Sequence, residues 1–173
     1  MARCLLVIDI QNDYFPGGAL PLWQAEETEA RLVAAIGAAR RSGDRVILVR
    51  HVTPAGSGFL AEGSEGAEIR PAIREAAGDA PVVTKRNADA FQDTVLLDHL
   101  AGTRELLVAG MMTQNCIIFS AMSEDARPFR VRVIADLCAA PTEMVHRIAL
   151  TSLGSKLTLT EAGDVWAEEA AGA

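Results

Sequence analysis

The sequence predicts an α/β protein, a three-layer α/β/α sandwich around a six-stranded, parallel, Rossmann-like sheet. Three observations lead to this prediction. Short runs rich in Val, Leu and Ile recur along the chain, as in strands that are covered on both faces. Longer segments with apolar residues at helical spacing separate these runs, and the two kinds of segment alternate. Such alternation is typical of a doubly wound sheet with right-handed crossovers.

The elements follow one another in a regular order. Six strands are predicted, the last of them the weakest, at residues 4–9, 45–50, 81–85, 105–110, 130–136 and 156–160. Four helices are predicted at residues 26–42, 93–101, 115–127 and 141–153. Glycines or prolines stand at their ends, as helix boundaries favour. Loops 12–22 and 53–66 follow the first two strands, and long loops in compact domains often bind ligands.

Length, charge and cysteine content limit the classes of function. A chain of 173 residues predicts a single domain spanning residues 1–173. A net charge of −7 with scattered basic residues argues against nucleic-acid binding. Three separated cysteines fit neither a disulfide framework nor a zinc site. Because Asp9 interrupts the short apolar run at the start, we expect no signal peptide, no membrane partner and a cytoplasmic location.

Reactive side chains stand where the predicted strands end. They are Asp9, Arg50, His51, Lys85, the segment 110–113 and Asp136. The carboxyl ends of parallel strands line the crevice in which open α/β sheets bind ligands. The sequence therefore gathers these groups at one edge of the sheet.

Cys116 follows this edge in the first turn of a predicted helix, with Thr113 as its expected N-cap. We expect the helix dipole to lower the pKa of the thiol and the backbone N–H groups to hold an oxyanion. Asp9 could accept the thiol proton, and Lys85 could stabilise the thiolate. Together these groups describe nucleophilic acyl chemistry. Taken singly, a buried cysteine, a loop-capping aspartate and a solvated lysine explain the same residues, and spacing alone leaves both interpretations open.

Three segments, in order, resemble the isochorismatase-like cysteine hydrolases. They are Leu5-Leu-Val-Ile-Asp9-Ile-Gln11-Asn-Asp-Tyr-Phe15, Val83-Thr-Lys85 with Ala90-Phe91, and Gly110-Met-Met-Thr113-Gln-Asn-Cys116-Ile. The last is similar to the nucleophile motif Gly-x-x-Thr-x-x-Cys-Val of this family. Three separated motifs in the right order are a specific signal.

The resemblance implies a triad of Asp9, Lys85 and Cys116 that hydrolyses a C–N bond of a small molecule through a thioester. It also implies a cis peptide at Met111–Met112, with the Met112 and Cys116 N–H groups as an oxyanion hole. We expect further substrate contacts from Gln11, Phe15, His51, Phe59 and Thr113. The family often forms oligomers, so we expect a homodimer or tetramer; the copy number and the substrate cannot be read from the sequence.

No metal and no cofactor is expected. In the nicotinamidases of this family, an Asp-x-His triplet and a further histidine hold a divalent ion. Here the triplet is Val49-Arg50-His51, and no histidine lies between Val52 and His99. One ligand of three does not build that site.

These residues bear on four alternative functions. Vinyl-ether hydrolysis of the isochorismatase type remains open. A haloacid-dehalogenase-type phosphatase needs a second aspartate where Gln11 stands. A receiver-like signalling module places its lysine after the threonine-bearing strand, but here Lys85 precedes Thr113. A dinucleotide-binding domain needs a Gly-x-Gly-x-x-Gly motif after the first strand, which this chain lacks.

Overall fold

A computed structural model describes residues 2–167. The predicted sheet is confirmed: it has six strands, all parallel, in the order β3-β2-β1-β4-β5-β6. The strands are β1 (Arg3–Ile8), β2 (Arg45–His51), β3 (Val82–Lys85), β4 (Glu105–Met111), β5 (Arg130–Ala139) and β6 (Thr158–Thr160). The chain order reverses between β1 and β4, so a crevice is expected beyond their carboxyl ends.

The helices are α1 (Ala25–Arg41), α2 (Pro71–Ala77), α3 (Leu96–His99), α4 (Ile118–Ala121), α5 (Glu143–Gly154) and α6 (Ala162–Trp166). Two of them, α2 and α6, were not predicted. Pro71 at the first helical position was the available signal for α2, since proline suits that position.

Two predicted helices are shorter than expected. The segment 93–101 is helical only over α3. The segment 115–127 is divided into a π-helical turn at Thr113–Ile117, then α4, then a 3₁₀ turn at Glu124–Ala126. The side chain of Ser123 accepts a hydrogen bond from the Asp125 backbone and begins that last turn, so a polar cap separates it from α4.

Two apolar clusters cover the two faces of the sheet, as parallel strands require. Along β1, Leu5 and Val7 belong to one cluster, whereas Cys4, Leu6 and Ile8 belong to the other. The first cluster includes residues of α1, α2 and α6, and the second those of α3 and the α4 region. We call them cluster 1 and cluster 2.

Strands β1 and β4 approach each other very closely at Gly110. Its φ is +129°, and a Cβ atom there would lie 2.0 Å from the Ile8 carbonyl oxygen. Only glycine fits such an approach. The two strand ends that carry Asp9 and lead to Cys116 are thereby brought side by side.

The longer of the two loops is fastened to the shorter one by Asp13. Its carboxylate accepts hydrogen bonds from the backbone N–H of Leu60 at 2.6 Å and of Ala19 at 3.2 Å. Gly66 packs directly on this carboxylate, because a Cβ there would lie 2.3 Å from Oδ1. Both loops therefore form a fixed wall beside the ends of β1 and β2.

Among the described residues, none of the helices combines the length and the apolar character needed to cross a bilayer.

Candidate active site

Asp9 directly follows β1 and is fully buried. Its φ of +56° lies in the left-handed region, which is costly for a residue with a Cβ atom. The Asp9 N–H donates to the Val49 carbonyl of β2 at 2.9 Å, so the neighbouring strand holds this conformation. The carboxylate is thus fixed in the crevice rather than in a solvated loop.

Lys85 ends β3 and reaches across the edge of the sheet. Its side chain is 0 % exposed, and Nζ lies 2.9 Å from Asp9 Oδ2. Nζ also donates to the Asn87 carbonyl at 3.0 Å and to Cys116 Sγ at 3.2 Å. A fully buried ammonium is stable only where such partners compensate for lost hydration.

Cys116 is reached from β4 through a cis peptide bond between Met111 and Met112, as the family resemblance implied. It lies in the π-helical turn, which begins at Thr113, and it is 1 % exposed. The structure therefore brings together Asp9, Lys85 and Cys116, three residues distant in sequence but joined at the carboxyl edge of the sheet.

The expectation of an ionised thiol is wrong for the free protein. Burial raises the pKa of Cys116 to about 12, the adjacent Asp9 carboxylate raises it as well, and Lys85 opposes both. The site therefore holds a neutral thiol beside an Asp9–Lys85 ion pair.

His51 has a defined tautomer. Its Nδ1 lies 2.8 Å from Lys85 Nζ, and an ammonium group can only donate, so Nδ1 must accept. Burial and the Lys85 charge both lower the pKa of His51, which keeps the ring neutral. The proton is therefore on Nε2, and this N–H is the donor that the half-buried ring can offer to a ligand.

One group in the described part of the chain has the composition of a metal site. Asp9, His51 and Cys116 each offer a ligand atom, and these atoms lie within 4.8 Å of one another. However, Lys85 Nζ lies 2.8 Å, 2.9 Å and 3.2 Å from His51 Nδ1, Asp9 Oδ2 and Cys116 Sγ. The ammonium occupies the position in which a cation would contact all three, so these residues do not fit a metal ion. The absence of a metal requirement stays a prediction.

Gln11 has another role than the predicted contact with substrate. Its Oε1 accepts from the His51 N–H at 2.8 Å, and its Nε2 donates to the carbonyls of His51 and Ala67, both at 2.7 Å. Both N–H bonds of the amide are thereby used. Gln11 anchors the end of β2 to the second loop, and this fixes His51 beside Lys85.

The other predicted contacts fall into two groups. Phe15 is a core residue of cluster 1, and the guanidinium of Arg70 lies 4.2 Å from the centre of its ring. Phe59 is half-buried and meets the ring of Tyr14 edge to face at 5.6 Å. Contact of either ring with substrate stays a prediction.

Thr113 is not the expected N-cap. Met112 precedes the turn as its cap residue, and no side chain caps it. The Thr113 hydroxyl instead lies 2.9 Å from Nδ1 of His146, both residues being buried. His146, which lies on α5, was missed as a neighbour of the site because helical spacing alone marked it as a packing residue.

Two further polar residues lie outside the site. Asp136 lies in an irregular part of β5, where the pairing with β4 shifts between Val108 and Gly110, and its carboxylate accepts from the Ala162 N–H at the start of α6. It therefore caps a helix rather than lining the crevice. Asp89 accepts from the Phe91 N–H at 2.9 Å, which is the turn-forming role of an aspartate.

Comparisons with known proteins give the relationships of the chain. Residues 3–162 match the model of the isochorismatase domain. A Bacillus subtilis relative, described as an uncharacterized isochorismatase family protein, YddQ, is 34 % identical over 149 residues, which cover 84 % of this chain and 82 % of the relative. A nicotinamidase of Escherichia coli is 27 % identical over 175 residues, covering 79 % and 82 %.

Among solved structures, a putative isochorismatase hydrolase from Oleispira antarctica superposes with a TM-score of 0.89. The two sequences are 28 % identical, and the match covers 96 % of each chain.

Proposed function

The chain belongs to the isochorismatase family of hydrolases, and we propose that it is a cysteine hydrolase that cleaves an amide-type C–N bond in a small molecule. The observation that carries this proposal is the position of Lys85 Nζ, 2.9 Å from Asp9 Oδ2 and 3.2 Å from Cys116 Sγ. A nucleophile, a base and a positive charge are the parts that acyl transfer needs.

Acylation begins when Cys116 Sγ attacks the substrate carbonyl carbon. Because the pKa of the thiol is raised to about 12, its proton moves to the Asp9 carboxylate as the S–C bond forms. Lys85 stays protonated and stabilises the sulfur while it carries negative charge. The oxyanion accepts hydrogen bonds from the N–H groups of Met112 and Cys116, the usual stabilisation of a tetrahedral intermediate.

Collapse of the intermediate releases the amine. Protonated Asp9 gives its proton to the leaving nitrogen, the C–N bond breaks, and a thioester on Cys116 remains. Water then attacks the thioester, and Asp9 accepts one proton of that water. Asp9 finally returns this proton to the Cys116 sulfur as the carboxylic acid departs, which restores the resting site.

A relative named as a nicotinamidase supports amide chemistry in the family, but this chain has Val49 where the Asp-x-His triplet of a metal site would need its aspartate. His51 takes part through its Nε2–H as a donor to the substrate. Contacts of Phe59 and Thr113 with the substrate are part of the same proposal. Metal-independent hydrolysis of a small amide is the activity that this arrangement supports best.

The proposal is tested by ammonia release from a panel of small amides, lactams and ureido compounds, with Cys116→Ala measured in parallel. We expect at least one compound to be hydrolysed by the native protein, and the variant to lose turnover by a factor of about 10⁴ or more, as for other nucleophile deletions. The matched control is Cys138→Ala, which removes another buried thiol and should stay active. Equal turnover by Cys116→Ala would exclude a thioester.

The same variants distinguish amide hydrolysis through a thioester from vinyl-ether hydrolysis. That reaction protonates an alkene carbon and adds water, so it needs an acid but no thiol nucleophile. A protein that releases no ammonia from any amide, and that hydrolyses a vinyl ether equally well with and without the Cys116 thiol, would belong to this second class.

A further inference from the structure

Tyr14 is the chain's one tyrosine, and its hydroxyl has no role in the fold described above. The side chain is buried, with 2 % of the residue exposed. In the part of the chain that the structure describes, no side-chain hydrogen bond involves this hydroxyl. A hydroxyl without a protein partner keeps its O–H as a donor for a ligand.

The surroundings of Tyr14 hold its ring in one position. Asn12–Tyr14 forms a 3₁₀ turn, in which the Tyr14 N–H donates to the Gln11 carbonyl and the Tyr14 carbonyl accepts from Leu22. The ring packs in cluster 1 and meets Phe59 edge to face. Asp13, the preceding residue, fastens the same turn to Leu60. The hydroxyl is therefore carried by a rigid part of the loop wall.

The turn that carries Tyr14 follows Asp9 closely in the chain, at the carboxyl end of β1. Burial raises the pKa of Tyr14 well above its ordinary value, and the charges of Asp9 and Cys116 are the next causes, so the phenol lies within electrostatic range of both. With its pKa raised, the phenol is protonated at neutral pH and can donate a hydrogen bond. In the described chain, the fully sealed side-chain atoms without a hydrogen bond belong to Asp9, Gln114 and Arg132. The Tyr14 hydroxyl oxygen also lacks a partner but does not belong to this sealed group, so it keeps some accessible surface.

We propose that the Tyr14 hydroxyl donates a hydrogen bond to the substrate, so that the preferred amide carries a second acceptor atom besides its scissile carbonyl. A carbonyl oxygen, a carboxylate or a ring nitrogen would serve. The inference rests on the proposed function and adds a specificity-determining residue to it. A site built to pair with a polar group of the substrate discriminates strongly against analogues that lack it.

The test compares native protein, Tyr14→Phe and Cys116→Ala on the amide from the panel that the native protein hydrolyses fastest. Tyr14→Phe keeps the ring and its contact with Phe59 and removes only the hydroxyl. We expect kcat/KM to fall by about ten- to a hundredfold. The rate of iodoacetamide alkylation of Cys116 should stay within about twofold, because the triad is unchanged.

Urea unfolding separates this role from a structural one. The hydroxyl has no partner in the described chain, so Tyr14→Phe should leave the unfolding midpoint unchanged or raise it. A lower midpoint with unchanged kcat/KM would overturn the inference, and so would unchanged kcat/KM with an unchanged midpoint. In both cases loss of turnover in Cys116→Ala would still support the proposed function. Turnover that survives in Cys116→Ala, or no amide hydrolysed at all, would instead contradict the proposed function and this inference with it.

Discussion

At the scale of single residues, the acidity of Cys116 depends on the charge of Asp9. The carboxylate raises the pKa of the thiol, Lys85 lowers it, and burial places it at about 12. Asp9 therefore disfavours the thiolate in the resting site, whereas in the proposed mechanism it accepts the thiol proton. These two effects of one carboxylate can be measured separately.

Asp9→Asn should accelerate alkylation of Cys116 while it abolishes turnover. Removing the negative charge lowers the thiol pKa, and a decrease of one unit gives about tenfold more thiolate at neutral pH. In the native protein, the alkylation rate should rise steadily from pH 7 to pH 10 without a plateau, because the thiol titrates above this range. Iodoacetamide kinetics with peptide mapping measures the alkylation rate of Cys116 in the variant and its pH dependence in the native protein.

The internal controls are Cys4 and Cys138, whose pKa values burial also raises to about 12 but on which Asp9 does not act. Their slow alkylation should be the same in Asp9→Asn. Equal or slower labelling of Cys116 in the variant would contradict the electrostatic account.

We propose two functions for His51, and one pair of variants separates them. His51→Asn retains an acceptor near the position of Nδ1 for Lys85 but loses the outer Nε2–H, whereas His51→Leu loses both. We expect His51→Asn to keep the native alkylation rate of Cys116 and to lose about tenfold in kcat/KM, the effect of one hydrogen bond to substrate. Full activity of His51→Asn, with His51→Leu inactive, would show that His51 only positions Lys85.

The sequence predicted the roles of some site residues better than those of others. Asp9, Lys85 and Cys116 could be identified because they carry chemistry at strand ends and lie in recognisable motifs. The roles of Gln11 and Thr113 could not be, since their partners are backbone atoms of His51 and Ala67 and the ring of His146. The raised pKa of Cys116 was missed because burial cannot be read from a motif.

At the scale of elements, the contact between β1 and β4 depends on Gly110. Gly110→Ala would place a methyl group 2.0 Å from the Ile8 carbonyl oxygen at a φ of +129°. We expect a loss of about 3 kcal/mol or more in the free energy of unfolding, from strain and overpacking together. Urea denaturation measures it.

Gly43→Ala is the matched control for Gly110→Ala. Gly43 also has a positive φ, +74°, but a Cβ there would meet no atom within 4 Å. We expect Gly43→Ala to lose about 1 kcal/mol in the free energy of unfolding, which is the cost of the backbone conformation alone. Similar losses in the two variants would show that the close approach of the strands does not matter.

The strands were easier to predict than the helices for a physical reason. Buried strands are apolar at nearly every position, and this pattern survives in the sequence. The helix expected at residues 115–127 is instead divided by a π-helical turn at Thr113–Ile117 and a Ser123 cap. These local rearrangements depend on hydrogen bonds that helical periodicity does not encode.

At the scale of the whole molecule, the parallel order β3-β2-β1-β4-β5-β6 explains why distant residues meet. Lys85 ends the edge strand β3, which is separated from β1 by β2. Its side chain therefore extends past the end of β2 to reach Asp9 and Cys116, at the carboxyl ends of β1 and β4. The alternation of strands and helices predicted this architecture, because each parallel connection must cross the sheet. The number of copies in solution, expected from the family to be two or four, stays a prediction.

The central claim is that Cys116 becomes acylated during turnover. Its most direct measurement is the mass of protein quenched in acid during hydrolysis of p-nitrophenyl acetate, an activated acyl donor, followed by peptide mapping. The account predicts one acetyl group on the Cys116 peptide in the native protein and in Cys138→Ala, and none on that peptide in Cys116→Ala. Turnover in the native protein without an acetyl group on Cys116, or equal turnover by Cys116→Ala, would contradict it.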